Sequence, residues 1–209
     1  ASGSPWQWRG FRLSHRPMQG AVVSAIDLAC RRGDRVLFRG LSLNLRAGEA
    51  LQIAGGNGIG KSSLLRILAG LAPAFAGQVS VSGAVGLLDE RPALDPALPL
   101  GRALAFWQRI DGAADNELAR LGLSTLLDVP VRYLSTGQKK RAAFARLIGQ
   151  KAPVWLLDEP LNGLDGHAVA LAEALAAEHC AGGGIAVIAS HQPFTLKGMS
   201  ALALADYAS

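Results

Sequence analysis

The chain has 209 residues, half of them apolar and 18% charged, enough for one large domain or two small ones and too apolar for a disordered chain. No run of eighteen or more apolar residues occurs, so no helical membrane span is expected. The net charge of +5 is concentrated in the first 17 residues, where Arg9, Arg12 and Arg16 stand without an acid, and the small excess elsewhere argues against a nucleic-acid partner.

Those first residues, ASGSPWQWRGFRLSHRP, show neither helical nor strand periodicity and are interrupted by Pro5 and Pro17. They lack the apolar core of a secretory signal, which points to a cytoplasmic protein. Met18 follows and is the expected natural start, so residues 1–17 read as a non-native or disordered extension and 18–209 as the folded domain. The alternative is a basic, Trp-bearing arm that touches a membrane surface or a partner. Cys30 and Cys180 stand far apart without metal-ligand spacing, so buried, reduced thiols are expected rather than a disulfide or zinc site.

From Val22 the pattern turns to strands. Val22–Leu28 is one; Val36–Phe38 and Leu41–Leu45 are read as two more, and Leu51–Ala54 as a short buried one. Gly55, Gly56, Asn57, Gly58, Ile59, Gly60, Lys61, Ser62 and Ser63 then fit the phosphate-loop pattern of Gly, four residues, Gly-Lys-Ser. Small residues allow several backbone N–H groups to face one polyphosphate, and the following helix, expected over Ser62–Leu71, adds its positive end. Lys61 would reach the β- and γ-phosphates of ATP and the Ser62 hydroxyl would sit on Mg²⁺. Strands at Val79–Val81 and Val85–Leu88 follow, then helical patterns at Leu100–Ile110, Asn116–Leu121 and Leu123–Leu127, separated by Pro99, Gly112 and Gly122.

Leu134-Ser135-Thr136-Gly137-Gln138 opens a helix expected over Gly137–Gln150, with Ser135 as a plausible N-cap. Val154–Leu157 is a continuous apolar run ending in Asp158-Glu159, as expected of a buried parallel strand that delivers acids to its C-terminal edge. A helix over His167–Cys180 and a strand over Ile185–Ala189 bring the chain to His191. His15, His167 and His179 have no such context and read as surface residues.

The order phosphate loop, Leu-Ser-x-Gly-Gln, apolar run with Asp-Glu, and histidine resembles the ATP-binding subunits of ABC transporters from Gly33 to His191. The resemblance implies an α/β P-loop NTPase with three parts: an N-terminal antiparallel β-subdomain, a RecA-like parallel-sheet core, and a small helical subdomain at about 93–150. It implies that Ser135, Gly137 and Gln138 meet the γ-phosphate on a second copy of the chain, that Asp158 holds Mg²⁺, that Glu159 is the general base, and that His191 contacts the γ-phosphate. Leu164-Asp165 matches the end of the loop that joins the two copies.

The sequence departs from the family at three places, one being Thr136 in place of the first glycine of the signature Leu-Ser-Gly-Gly-Gln. Arg32 stands where an aromatic residue stacks on adenine, and either stacks in its place or is a solvated charge. Glu90 lies nearest the place of a metal-binding glutamine. A narrower resemblance, carried by Arg31–Arg35, the Thr-Gly-Gln signature and Ser190-His191-Gln192-Pro193, is to the heme-exporter ATPases of bacterial cytochrome c maturation. It implies a heme-exporter permease as integral-membrane partner and a peripheral place on the cytoplasmic face of the inner membrane. With no Cys-x-x-Cys-His in the chain, direct heme binding is not expected. The alternatives are the ATPase of another small exporter for lipid or drug, a soluble ABC protein of translation or DNA repair, or a plain P-loop kinase.

Overall fold

A computed structural model describes residues 20–111 and 117–208, so expectations for residues 1–17 and for His15 lie outside it. Among the described residues, eight strands form two sheets. β1 (Val22–Arg32), β2 (Arg35–Arg46) and β4 (Ala76–Ser82) make an antiparallel sheet in the order β2-β1-β4. β5 (Val85–Leu88), β6 (Val154–Asp158), β7 (Ile185–Ser190), β3 (Ala50–Ala54) and β8 (Ser200–Ala203) make a parallel sheet in the order β5-β6-β7-β3-β8. The helices are α1 (Lys61–Leu68), α2 (Leu100–Asp111), α3 (Thr136–Gly149) and α4 (Gly166–Ala181).

Every residue of β6 and β7 is buried, because helices or the second sheet cover both faces of a parallel sheet. Alternation still sorts their side chains. Val154, Leu156, Ile185 and Val187 pack with α1 and the antiparallel sheet; Trp155, Leu157, Ala186 and Ile188 pack with α2, α3 and α4. The helical segment after β5 therefore shares its core with the sheet. No described helix is long and apolar enough to cross a membrane, and both cysteines are free and buried.

Several elements differ from the sequence reading. The stretches 36–38 and 41–45 belong to one strand, since Gly40 at φ 72° makes a register shift rather than a break. α1 stops at Leu68, three residues early, where Gly70 at φ 71° lets the Gly70 and Leu71 N–H groups bond the carbonyls of Ile67 and Arg66. With Asn116 outside the described residues, Glu117–Gly122 is a single capped turn and Ser124–Leu126 a 3₁₀ turn instead of two helices, because Gly122 adopts φ 63°. β8 was not expected at all: it is a four-residue, largely exposed edge strand.

His179 is not a surface residue. It is 9% exposed on the inner stripe of α4 with Ala168, Ala172, Leu175 and Ala176. Its ring stacks on Trp155 with centroids 4.0 Å apart. Burial lowers its pKa from 6.5 to about 4. His167, by contrast, is exposed.

Candidate active site

The parallel sheet brings the ends of β3, β6 and β7 to one edge, since Ala54 pairs with Ser190 and Asp158 with Ala189. Crevices at the carboxyl ends of parallel strands are where such folds bind ligands. The loop Gly55–Gly60 leaves β3 here and enters α1. Gly60 caps that helix at φ 115°, and a Cβ on it would lie 3.1 Å from Phe38, so both the backbone and the packing call for glycine. No side chain caps α1 and no acid occupies its first turn, leaving its positive end for an anion.

Lys61 is 6% exposed. Its Nζ donates to the carbonyls of Gly55 (2.7 Å) and Gly56 (3.1 Å) and lies 3.3 Å from Glu159 Oε1. The other carboxylate oxygen of Glu159 is 2.8 Å from His191 Nδ1. A carboxylate can only accept, so the imidazole donates to it through Nδ1. Glu159 itself sits at φ 44°, in the left-handed region, with its N–H bonded to the Ala189 carbonyl at 2.8 Å. One backbone turn thus delivers the acid between a lysine and a histidine that are distant in sequence.

Beside it, Asp158 is 8% exposed, and its Oδ1 has no hydrogen-bond partner among the described residues. Burial raises its pKa, opposed by a hydrogen bond from Ser62. A buried, unpartnered carboxylate oxygen next to a hydroxyl is a donor set suited to a hard cation such as Mg²⁺. A cleft of about 650 Å³ runs from here past Ser62, Ser63, Glu90 and Arg66 to Arg31 and Arg32. Both unusual residues, Arg32 and Glu90, are exposed on its walls.

Ser135, Gly137 and Gln138 do not line that cleft. They open α3, where the Ser135 side chain accepts from the Gln138 N–H and the Gln138 side chain accepts from the Ser135 N–H, a reciprocal cap. Gly137 packs so closely on the loop after β6 that a Cβ would lie 2.8 Å from the Gly163 carbonyl. Asp165, at the end of that loop, caps α4 by accepting from the Ala168 N–H at 2.8 Å.

The profile of the ABC transporter family matches residues 38–162. The chain belongs to the ABC transporter family. Among its ABC relatives is the cytochrome c biogenesis ATP-binding export protein CcmA of Novosphingobium aromaticivorans, 60% identical over 190 residues, covering 91% of this chain and 99% of that one. The protein of the same name from Sphingopyxis alaskensis is 48% identical over 188 residues, covering 88% and 97%. Among solved ABC structures, cbiO1 of Clostridium perfringens, part of the complex cbiONQ, superposes with a TM-score of 0.68 at 27% identity, over 83% of this chain and 80% of that one.

One residue at this ABC site escaped the sequence reading. Lys140, on α3, is 8% exposed, and its Nζ donates to the Glu159 carbonyl at 3.1 Å. Burial lowers its pKa, while Asp158, Glu90, Asp89 and Glu159 favour its charged form. The signal was available: Lys140 shares a helical stripe with Ala143, Phe144 and Leu147, where a lysine is out of place unless partnered.

Proposed function

We propose that this chain is the ATP-hydrolysing subunit of an export complex in cytochrome c biogenesis, working as a pair of copies beneath an integral-membrane permease of the heme-exporter type. The single observation that carries the reading is the Lys61–Glu159–His191 cluster at the sheet edge, with the signature residues lying off its cleft. Each copy then holds two half-sites. ATP on the phosphate loop of one copy is completed by Ser135, Gly137 and Gln138 of the other, because a capped helix start presents N–H groups to the γ-phosphate.

The chemistry follows from the partners each group has. The phosphates of ATP compete with Glu159 for the Lys61 ammonium, so binding frees the carboxylate as it seats the γ-phosphate. Glu159 then takes a proton from a water whose oxygen attacks the γ-phosphorus, and ADP leaves with the bridging oxygen's electron pair. His191 keeps Glu159 oriented through Nδ1–H and turns Nε2 toward the transferred phosphate. Ser62 Oγ and the unpartnered Asp158 Oδ1, with Glu90 beyond, are the oxygens that would hold Mg²⁺, which offsets phosphate charge when bound. Arg32 lies on the cleft wall suited to the adenine face.

The segment at about 93–150 is the helical subdomain in this reading, and the permease holds the assembly on the cytoplasmic face of the inner membrane. Heme is cargo of the pathway and not a ligand of this chain. Two experiments test the proposal. Glu159→Gln binds ATP but slows hydrolysis by roughly 10²–10⁴-fold and accumulates as an ATP-bound dimer in sedimentation; native turnover in that variant refutes the base. Purification of the chain from native membranes brings an integral-membrane permease with it, and recovery without any membrane subunit refutes the assembly.

A further inference from the structure

The surroundings of Lys140 reach beyond that assignment. Glu159 is gripped at both ends of its backbone: its N–H by β7 through the Ala189 carbonyl at 2.8 Å, its carbonyl by α3 through Lys140 Nζ at 3.1 Å. A left-handed non-glycine residue persists only where its surroundings hold it there; besides the turn bond from the Asn162 N–H to the same carbonyl at 3.3 Å, these two bonds are what other elements supply to its main chain. Lys140 also borders a second pocket of about 310 Å³, with Asp89, Glu90, Glu159 and Asn162 on its walls. Its ammonium therefore stands among the acids that end β5 and β6. The contact is reinforced one turn earlier on α3, where Thr136 and Gly137 lie against Gly163.

We propose that Lys140 is a positioning residue: its ammonium ties the signature helix to the Glu159 peptide and offsets the acids around it, so the carboxylate is aimed only while α3 is seated on the sheet edge. This rests on Glu159 being the base. Its consequence is that a shift of α3, the helix that carries the signature, reaches the reacting centre through one side chain. The acidic pair Asp89-Glu90, which stands where the family keeps a neutral glutamine, borders the same pocket as this lysine, with Asp89 also 4.0 Å from Arg66.

The test compares Lys140→Met and Lys140→Arg in the complex purified through the full chain. Methionine keeps the stem and removes the charge and the donor; arginine restores both. Misplacing a catalytic group by about 1 Å costs on the order of 10²-fold in rate. Lys140→Met is therefore expected to lower kcat by roughly 10–100-fold with KM for ATP changed less than about threefold, and Lys140→Arg to recover most of kcat. Native kcat in Lys140→Met overturns the proposal. So does a parallel loss of kcat, ATP affinity and thermal stability that arginine does not relieve, since that marks a folding role.

Hydrogen exchange of the Glu159 amide and of amides 161–165 in the full chain gives a readout independent of the base. It is expected to rise at least about tenfold in Lys140→Met, the scale of one lost hydrogen bond from a charged donor. Unchanged exchange overturns the proposal. Raised exchange together with a fully active Glu159→Gln overturns only the reading of Glu159.

Discussion

His179 makes the stability of this protein depend on pH in a calculable way. The ring is sandwiched between Trp155 and the start of β7, its Nε2 3.3 Å from the Ile185 carbonyl, and its pKa falls from 6.5 to about 4 because burial penalises the cation more than the nearby carbonyls of Ile185 and Pro153 support it. Above pH 6.5 the imidazole is neutral whether the chain is folded or not, and its full stabilising balance is present. As pH falls from 6.5 toward 4 the unfolded chain gains a proton that the folded one refuses, so stability drains away and the loss levels off below the folded pKa. The shift corresponds to about 3 kcal/mol in total, of which about 2 kcal/mol is lost between pH 7.5 and pH 5.0.

The perturbation is His179→Phe, which keeps a ring against Trp155 and has nothing to titrate. Carboxylates elsewhere titrate in both proteins, so the difference between them isolates the histidine. In thermal unfolding, native protein should lose roughly 4–8 °C more than the variant between those two pH values. Equal losses in the two proteins refute the argument that this imidazole is held neutral by burial.

Gly184→Ala attacks the same contact from the other side. Its Cβ would lie 2.2 Å from His179 Nε2, so the ring must leave its stack, at a cost of about 1–3 kcal/mol in urea unfolding; a native midpoint shows that the ring yields freely. Arg32→Ala should raise the Kd for ATP a few-fold, on the order of 1 kcal/mol, in titration calorimetry. An unchanged Kd returns Arg32 to solvent.

Much of this structure could be read from local pattern. The all-apolar strands β6 and β7, the glycine loop and the Ser135 cap are each specified within a few residues of their own position, and they placed Lys61, Ser62, Asp158, Glu159 and His191 on the correct elements. What was illegible depends on contacts between distant segments. Gly40 reads as a break until β1 is beside it to pair across the bulge, and β8 has only four residues to signal itself. Lys140 and His179 both lie on the buried apolar stripes of their helices. Their polar character hid them, because carbonyls supplied by other elements, of Glu159 for Lys140 and of Ile185 and Pro153 for His179, make burial tolerable there.

In the proposed assembly the site is divided between two copies, with the signature residues of each outside its own phosphate-loop cleft. Steady-state ATP hydrolysis measured over a wide dilution series of the chain tests this most directly. Specific activity should fall as the protein is diluted, the hydrolysis rate becoming second order in protein concentration at the low end. Constant specific activity down to concentrations at which sedimentation finds only monomer contradicts it.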